Sequence, residues 1–255
     1  MKALIFVFFV IFLRNSHQQI PENGPILTFH PKPLKYYHWL IWTTQPTLIH
    51  YIGSEHLGYK NWTNALDAFI DTYRPNIRSG VKQICNFNTK NFPDIACNID
   101  VRSFGPCVLE NLYGYHRNSP CVFLTFKELF GWTPEYYNDP DLLPSKMPKR
   151  LKEHISKVAE KSQKMLNTVW ISCDGIHAAD KEYIGPVKYF PFQGFPGYFF
   201  PYSGQDDYLS PLVAVQFERP ARHILINIEC KAWARNIEYN VEEHIGIVQF
   251  ELFID

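Results

Sequence analysis

The sequence lacks the residue spacings on which most catalytic and metal chemistry is built. None of its six cysteines forms a CxxC pair, so zinc-ribbon and thioredoxin-like readings have no footing. Of its ten histidines the nearest two, His50 and His56, stand six residues apart, and no pair has the offset of three or four that presents two ligands on one helical face. There is no GxSxG elbow, no GxxxxGK[ST] phosphate loop and no GxGxxG turn. The acidic pairs Asp206-Asp207 and Glu242-Glu243 have no second carboxylate signalled across a cleft and read as solvated loop charges. These absences predict a non-enzyme with no cofactor, no metal and no small-molecule substrate of its own.

A charge surplus is missing too. Lys+Arg and Asp+Glu both number 25, so the formal net charge is zero, which argues against a nucleic-acid partner. The longest apolar run, Ala3 to Leu13, is only eleven residues. As a helix it spans about 16 Å, half of a hydrocarbon core of about 30 Å. It follows Met1-Lys2 and precedes Arg14, the pattern of a signal anchor, a secretory signal or a truncated transmembrane segment. Arg14 to His17 offer no pair of small residues for cleavage. Every one of these readings exports the rest of the chain. Asn61-Trp62-Thr63, the one glycosylation sequon, agrees with that placement. The expected layout is residues 1–13 as the apolar segment, 14–53 as an extended lead-in and 54–255 as an extracellular domain.

What the chain does contain is apolar and aromatic: 46% hydrophobic and 16% Phe, Trp or Tyr against 20% charged, a globular composition. Tyr59, Trp62, Leu66, Phe69, Ile70 and Tyr73 fall on one helical stripe before Pro75. A second stripe, Leu151, Ile155 and Val158 with Met165 or Leu166, lies among many lysines over about 148–167 and reads as a flank on a larger body. Elsewhere the period is two. Val122, Leu124 and Phe126 share a face, as do Val213, Val215 and Phe217, then Ile224, Ile226 and Ile228, then Val248, Phe250, Leu252 and Ile254. Such half-buried strands joined by Pro/Gly loops predict a mainly β, antiparallel sandwich with one or two flanking helices.

Cys85, Cys97, Cys107, Cys121, Cys173 and Cys230 allow fifteen disulfide connectivities, and spacing does not choose among them. Strand parity puts Cys173 on the face of Val169 and Ile171, and Cys230 on that of Ile226 and Ile228. A bridge between them would close a loop of nearly sixty residues, worth about 4 kcal/mol on the chain-entropy model; two buried thiols are the alternative. The densest feature is Tyr189 to Gly204, with eight aromatics, three prolines and three glycines in sixteen residues. Proline spacing forbids a long helix there, so the segment reads as a rigid irregular stretch. Its rings either roof the core or anchor a partner, and a mixture of the two is expected.

Four blocks resemble the β subunits of the Na+/K+- and H+/K+-transporting P-type ATPases. They are Tyr113-Gly114-Tyr115 with Pro120-Cys121 and Leu129 to Pro134; Phe195-Pro196-Gly197 with Phe199 to Gly204; Tyr208 to Phe217; and Ile228 to Trp233 with Asn236-Ile237. The final strand, Gly246 to Ile254, is similar as well. Ser203, Phe199 and Phe200 stand where the family's motif has tyrosines. The resemblance implies sequential pairing of the cysteines, Cys85–Cys97, Cys107–Cys121 and Cys173–Cys230, and an immunoglobulin-like ectodomain. It implies a non-catalytic accessory subunit that assists folding, export and membrane delivery of a P-type ATPase α subunit and modulates cation transport. It implies that Phe199, Phe200, Pro201, Tyr202, Val215, Gln216 and Phe217 contact that α subunit, at the plasma membrane with the domain outside. The alternative is a secreted or surface adhesion glycoprotein of the same fold without a pump partner.

Overall fold

The structure is a computed structural model that describes residues 24–32, 47–53, 55–74, 82–88, 92 and 94–255. The apolar start at 1–13 and, within the lead-in, residues 14–23 and 33–46 lie outside the described residues.

Two strands organise the molecule because neither of their faces is left to solvent. β3 (Cys121–Phe126) and β7 (Leu212–Phe217) are buried at every position, where the period-two pattern predicts half-burial, because both sides of their sheet are covered. They form the centre of a four-stranded antiparallel sheet ordered β1 (Leu27–His30), β3, β7, β5 (Val187–Phe190). The second sheet is ordered β2 (Leu48–Tyr51), β9 (Ile247–Ile254), β8 (Ile226–Trp233), β4 (Thr168–Gly175), β6 (Gly194–Pro196). All its pairs are antiparallel except β2 with β9, which is parallel. That edge departs from an all-antiparallel sandwich for a topological reason. The two strands come from opposite ends of the chain, so no hairpin dictates their direction.

The sheets face each other through rings. Phe29 stacks on Phe250 at 4.8 Å, Phe217 meets Phe250 at 6.1 Å, and Phe126 meets Phe195 at 4.5 Å. Each outer face is covered by a helix. α1 (His56–Asp71) buries Tyr59, Leu66 and Ile70, with Tyr73 just beyond it, while Trp62 and Phe69 are half-buried. Phe69 reaches Phe123 of β3, which also receives Phe104 at 5.2 Å and Tyr113 at 6.1 Å. α2 (Lys149–Lys161) buries Leu151, Ile155 and Val158 in a separate cluster with Trp170 and Trp233, on the outer side of β4 and β8. Its lysine-rich remainder faces solvent. The indole of Trp233 donates to Ser172 Oγ at 2.8 Å, satisfying the one polar group that this ring brings inside. A short third helix, α3 (Ala178–Tyr183), was not legible in the sequence. It is held by Asp180, whose carboxylate accepts from the backbone N–H groups of His177 and Asn227.

Three disulfides join Cys85 to Cys97, Cys107 to Cys121 and Cys173 to Cys230, with Cα separations of 5.5, 5.7 and 4.1 Å. Cys173 and Cys230 are direct partners in the β4–β8 register. Among the described residues no helix is long and apolar enough to cross a membrane.

Candidate functional site

The Tyr189–Gly204 segment leaves the first sheet at β5 and joins the edge of the second as β6, so it wraps one side of the sandwich. Its glycines permit that close approach. A Cβ on Gly194 would stand 2.5 Å from the Val169 carbonyl oxygen, so only glycine lets β6 lie against β4.

The rings of the segment divide between inside and outside. Phe195 is fully buried, and Phe200 packs edge-on against Trp132 at 5.5 Å. Tyr189 crosses between the sheets, its hydroxyl accepting from the Cys173 N–H at 2.8 Å. Burial pushes that phenol's pKa above its ordinary value, so it stays neutral. Tyr198 packs on Phe87 at 5.2 Å, which pins the loop closed by Cys85–Cys97 to the segment. The outer set begins at Phe199, half-buried beside Tyr198, and continues with exposed Pro201 and half-buried Tyr202. Tyr202 lies between Phe130 at 6.1 Å and Tyr208 at 4.5 Å, and Phe130 is 46% exposed. The backbone fixes this pair, because the Gly131 N–H donates to the Tyr202 carbonyl at 2.7 Å.

Three of the seven nominated contact residues, Phe199, Pro201 and Tyr202, therefore share one aromatic rim, and Phe200 packs behind it on Trp132. The other three do not join it. Val215 and Phe217 are 0% exposed and Gln216 is 8% exposed, within a strand flanked by β3 and β5. Gln216 turns outward only to donate from Nε2 to the Ser119 carbonyl at 3.4 Å. Sequence reasoning missed Phe130 and Tyr208 as members of the rim. Both stood inside recognisable blocks, but nothing in their spacing signalled that the two loops meet. Beside the rim, a cavity of about 190 Å³ separates Phe92 and Ile95 from Phe199 and Phe200.

Such a rim offers rigid apolar area and few hydrogen-bonding groups, which suits a protein surface rather than a reaction. Among the described residues no group of three or more His, Cys, Asp or Glu could hold a metal ion. On the far helix, Asn61 is exposed, while Thr63 of its sequon is buried and donates to the Lys60 carbonyl at 3.0 Å.

Comparison with known proteins bears on the same stretch and on nearly all of the chain. A family model described as the sodium/potassium ATPase beta chain matches residues 3–250. The sodium/potassium-transporting ATPase subunit beta-2 of Drosophila melanogaster is 41% identical over 268 aligned residues, which span all of this chain and 81% of that protein. Subunit beta-1 of the same organism is 36% identical, over 84% of this chain and 67% of that protein. A probable subunit beta-3 of Caenorhabditis briggsae is 29% identical, over 96% and 73% respectively.

Proposed function

The chain belongs to the sodium/potassium ATPase beta chain family, and on that premise we propose that it is a non-catalytic accessory subunit of a Na+/K+-transporting P-type ATPase. Its role is to assist folding, export and membrane delivery of the α subunit and to modulate cation transport, with the domain from about residue 54 onward outside the plasma membrane. The observation that carries this reading is the extent of the match, 41% identity across the full chain with a transporting-ATPase β subunit.

The rim of Phe199, Pro201 and Tyr202 with Phe130 supports a partner-facing role, since large rings held rigidly by their neighbours lose little entropy on binding. Phe200 then acts from behind, packed on Phe126 and Trp132, while Val215, Gln216 and Phe217 belong to the interior of the first sheet. The three disulfides suit the oxidising route that an exported domain takes. Exposed Asn61 is the proposed glycan site, and digestion by a glycosidase should lower the apparent mass of the cell-derived protein.

The test is recovery of a tagged chain from detergent-solubilised membranes. A P-type ATPase α subunit should co-purify with it, and depleting the chain should reduce α at the cell surface. If no such subunit is recovered and surface delivery is unchanged, the reading fails.

A further inference from the structure

Away from the aromatic rim, a second cavity of about 990 Å³ opens where β1, the end of α1, the loop after β3 and the turn before β9 meet. That is at the upper end of the range in which proteins enclose drug-sized ligands. Its floor is apolar, formed by Leu27, Phe69, Phe126 and Val248. Its mouth gathers basic groups from separate elements: His30 and Lys32 from the first strand and its continuation, Lys127 from the end of β3, and His244 from the turn.

Among the described residues neither lysine of this group is ion-paired. Lys32 is half-buried with its ammonium 4.0 Å over the Phe29 ring, yet among the described residues no carboxylate lies within ion-pair distance of Lys32 or Lys127. Burial, and then the charge of Lys127, bring the Lys32 pKa down to about 8. Burial with the charges of Lys32 and Lys127 lowers His244 as well. His244 Nδ1 is itself buried without a hydrogen-bond partner. His30 is stacked on Phe69 at 3.7 Å, which fixes one wall. Three carboxylates also line the cavity. Glu242 and Glu243 are exposed, and Glu128, likewise exposed, is felt by the phenols of Tyr73 and Tyr208.

We propose that this cavity binds an amphiphilic anion, its carboxylate, sulfate or phosphate head between Lys32, Lys127 and His244 and its hydrocarbon against Leu27, Phe69 and Phe126. The half-buried ammonium group of Lys32, with no carboxylate within ion-pair distance, is costly, and an anionic head offsets that cost while the tail covers the apolar floor. Head and floor together disfavour two simpler ligands: a bare inorganic anion would leave the half-buried Phe69 ring uncovered, and a neutral alkane chain would leave Lys32 uncompensated.

The experiment is calorimetric titration of the full chain with sodium dodecanoate below its micelle concentration. Saturable one-to-one binding is expected, weakened about tenfold by Lys32→Gln and similarly by Lys127→Gln, the loss of one charge-assisted contact. Lys164→Gln, beyond the end of α2, should leave it unchanged. Dodecanol and inorganic phosphate should each bind far more weakly than dodecanoate. Dodecanol binding as tightly, phosphate binding as tightly, or dodecanoate affinity indifferent to both cavity lysines would overturn the proposal. Lys127 is exposed, so its variant keeps the test valid even if Lys32→Gln folds poorly. Flotation with phosphatidylserine vesicles separates the two sources of such a head. Flotation lost in Lys32→Gln assigns it to a bilayer lipid, and flotation that does not depend on Lys32, beside Lys32-dependent dodecanoate binding, assigns it to a free amphiphile.

Discussion

Phe199 to Tyr202 and Val215 to Phe217 share an apolar, ring-rich chemistry and lie within twenty residues of each other, yet they occupy opposite environments. The first stretch follows β6, where prolines prevent a continuous ladder and leave rings partly outside. The second is the latter half of a strand paired on both sides and covered on both faces. Similar residues therefore do different work. On the proposed function, changes in the strand should act on folding and changes in the rim on association.

The largest effects should follow from attacking the buried member. Phe217→Ala removes a ring that is 0% exposed and packed on Phe250, and should cost about 3–5 kcal/mol. Chemical denaturation of the purified chain should show it, with poor export in cells. A variant of normal stability that fails only to bind an α subunit would erase the distinction between the two stretches. The disulfides sharpen the same contrast. Replacing Cys173 and Cys230 together opens a separation of 57 residues inside the core sheet and should cost about 4 kcal/mol. Replacing Cys85 and Cys97 opens only 12 and should cost nearer 3 kcal/mol. The second loss should also loosen Tyr198, which packs against Phe87 within that loop. Thermal melts of the two double-alanine chains measure the difference.

The rim should respond the other way. Tyr202→Ala and Phe130→Ala each trim a partly exposed ring, so the melting point should barely move. Recovery of the α subunit should fall by an amount equivalent to about 1–2 kcal/mol per ring. Equal losses of stability and binding would mean that the rim is simply more core.

Much of this contrast was legible before any coordinates. Period two found the strands, and parity alone set Cys173 with Val169 and Ile171 on the inner face, where all three are buried. The stripe from Tyr59 to Tyr73 marked α1, and Leu151, Ile155 and Val158 marked α2. What periodicity does not carry is which neighbour covers which face. β7 reads as alternating, yet its second face is buried as well, because α1 and the 104–117 segment lie over that sheet. A residue such as Gln216 thus looks solvent-facing in the sequence and is covered in the fold. The meeting of Phe130 with Tyr202 and the parallel pairing of β2 with β9 are long-range consequences of topology, and no local pattern encodes them.

The gentlest probe is pH, and it reads the α1-covered face against the rim. His30 is stacked beneath Phe69, and burial, then the charge of Lys32, hold its pKa near 4 against an ordinary value of 6.5. Lys127, Glu128 and His244 line the same cavity. A base whose pKa is lowered by folding binds fewer protons in the native state than in the unfolded one. Its contribution is therefore fully present above about pH 6.5 and declines as the pH falls from there to about 4. The melting temperature of the native chain should drop across that window, and His30→Phe should flatten the part of the drop that belongs to this ring while keeping the stack on Phe69. The rim rings of Phe130, Phe199 and Pro201 hold no group that titrates there, so binding by intact protein should stay level while stability declines. A parallel fall of both in the same window would place His30 at the partner surface and dissolve the separation between a buried scaffold and an exposed rim.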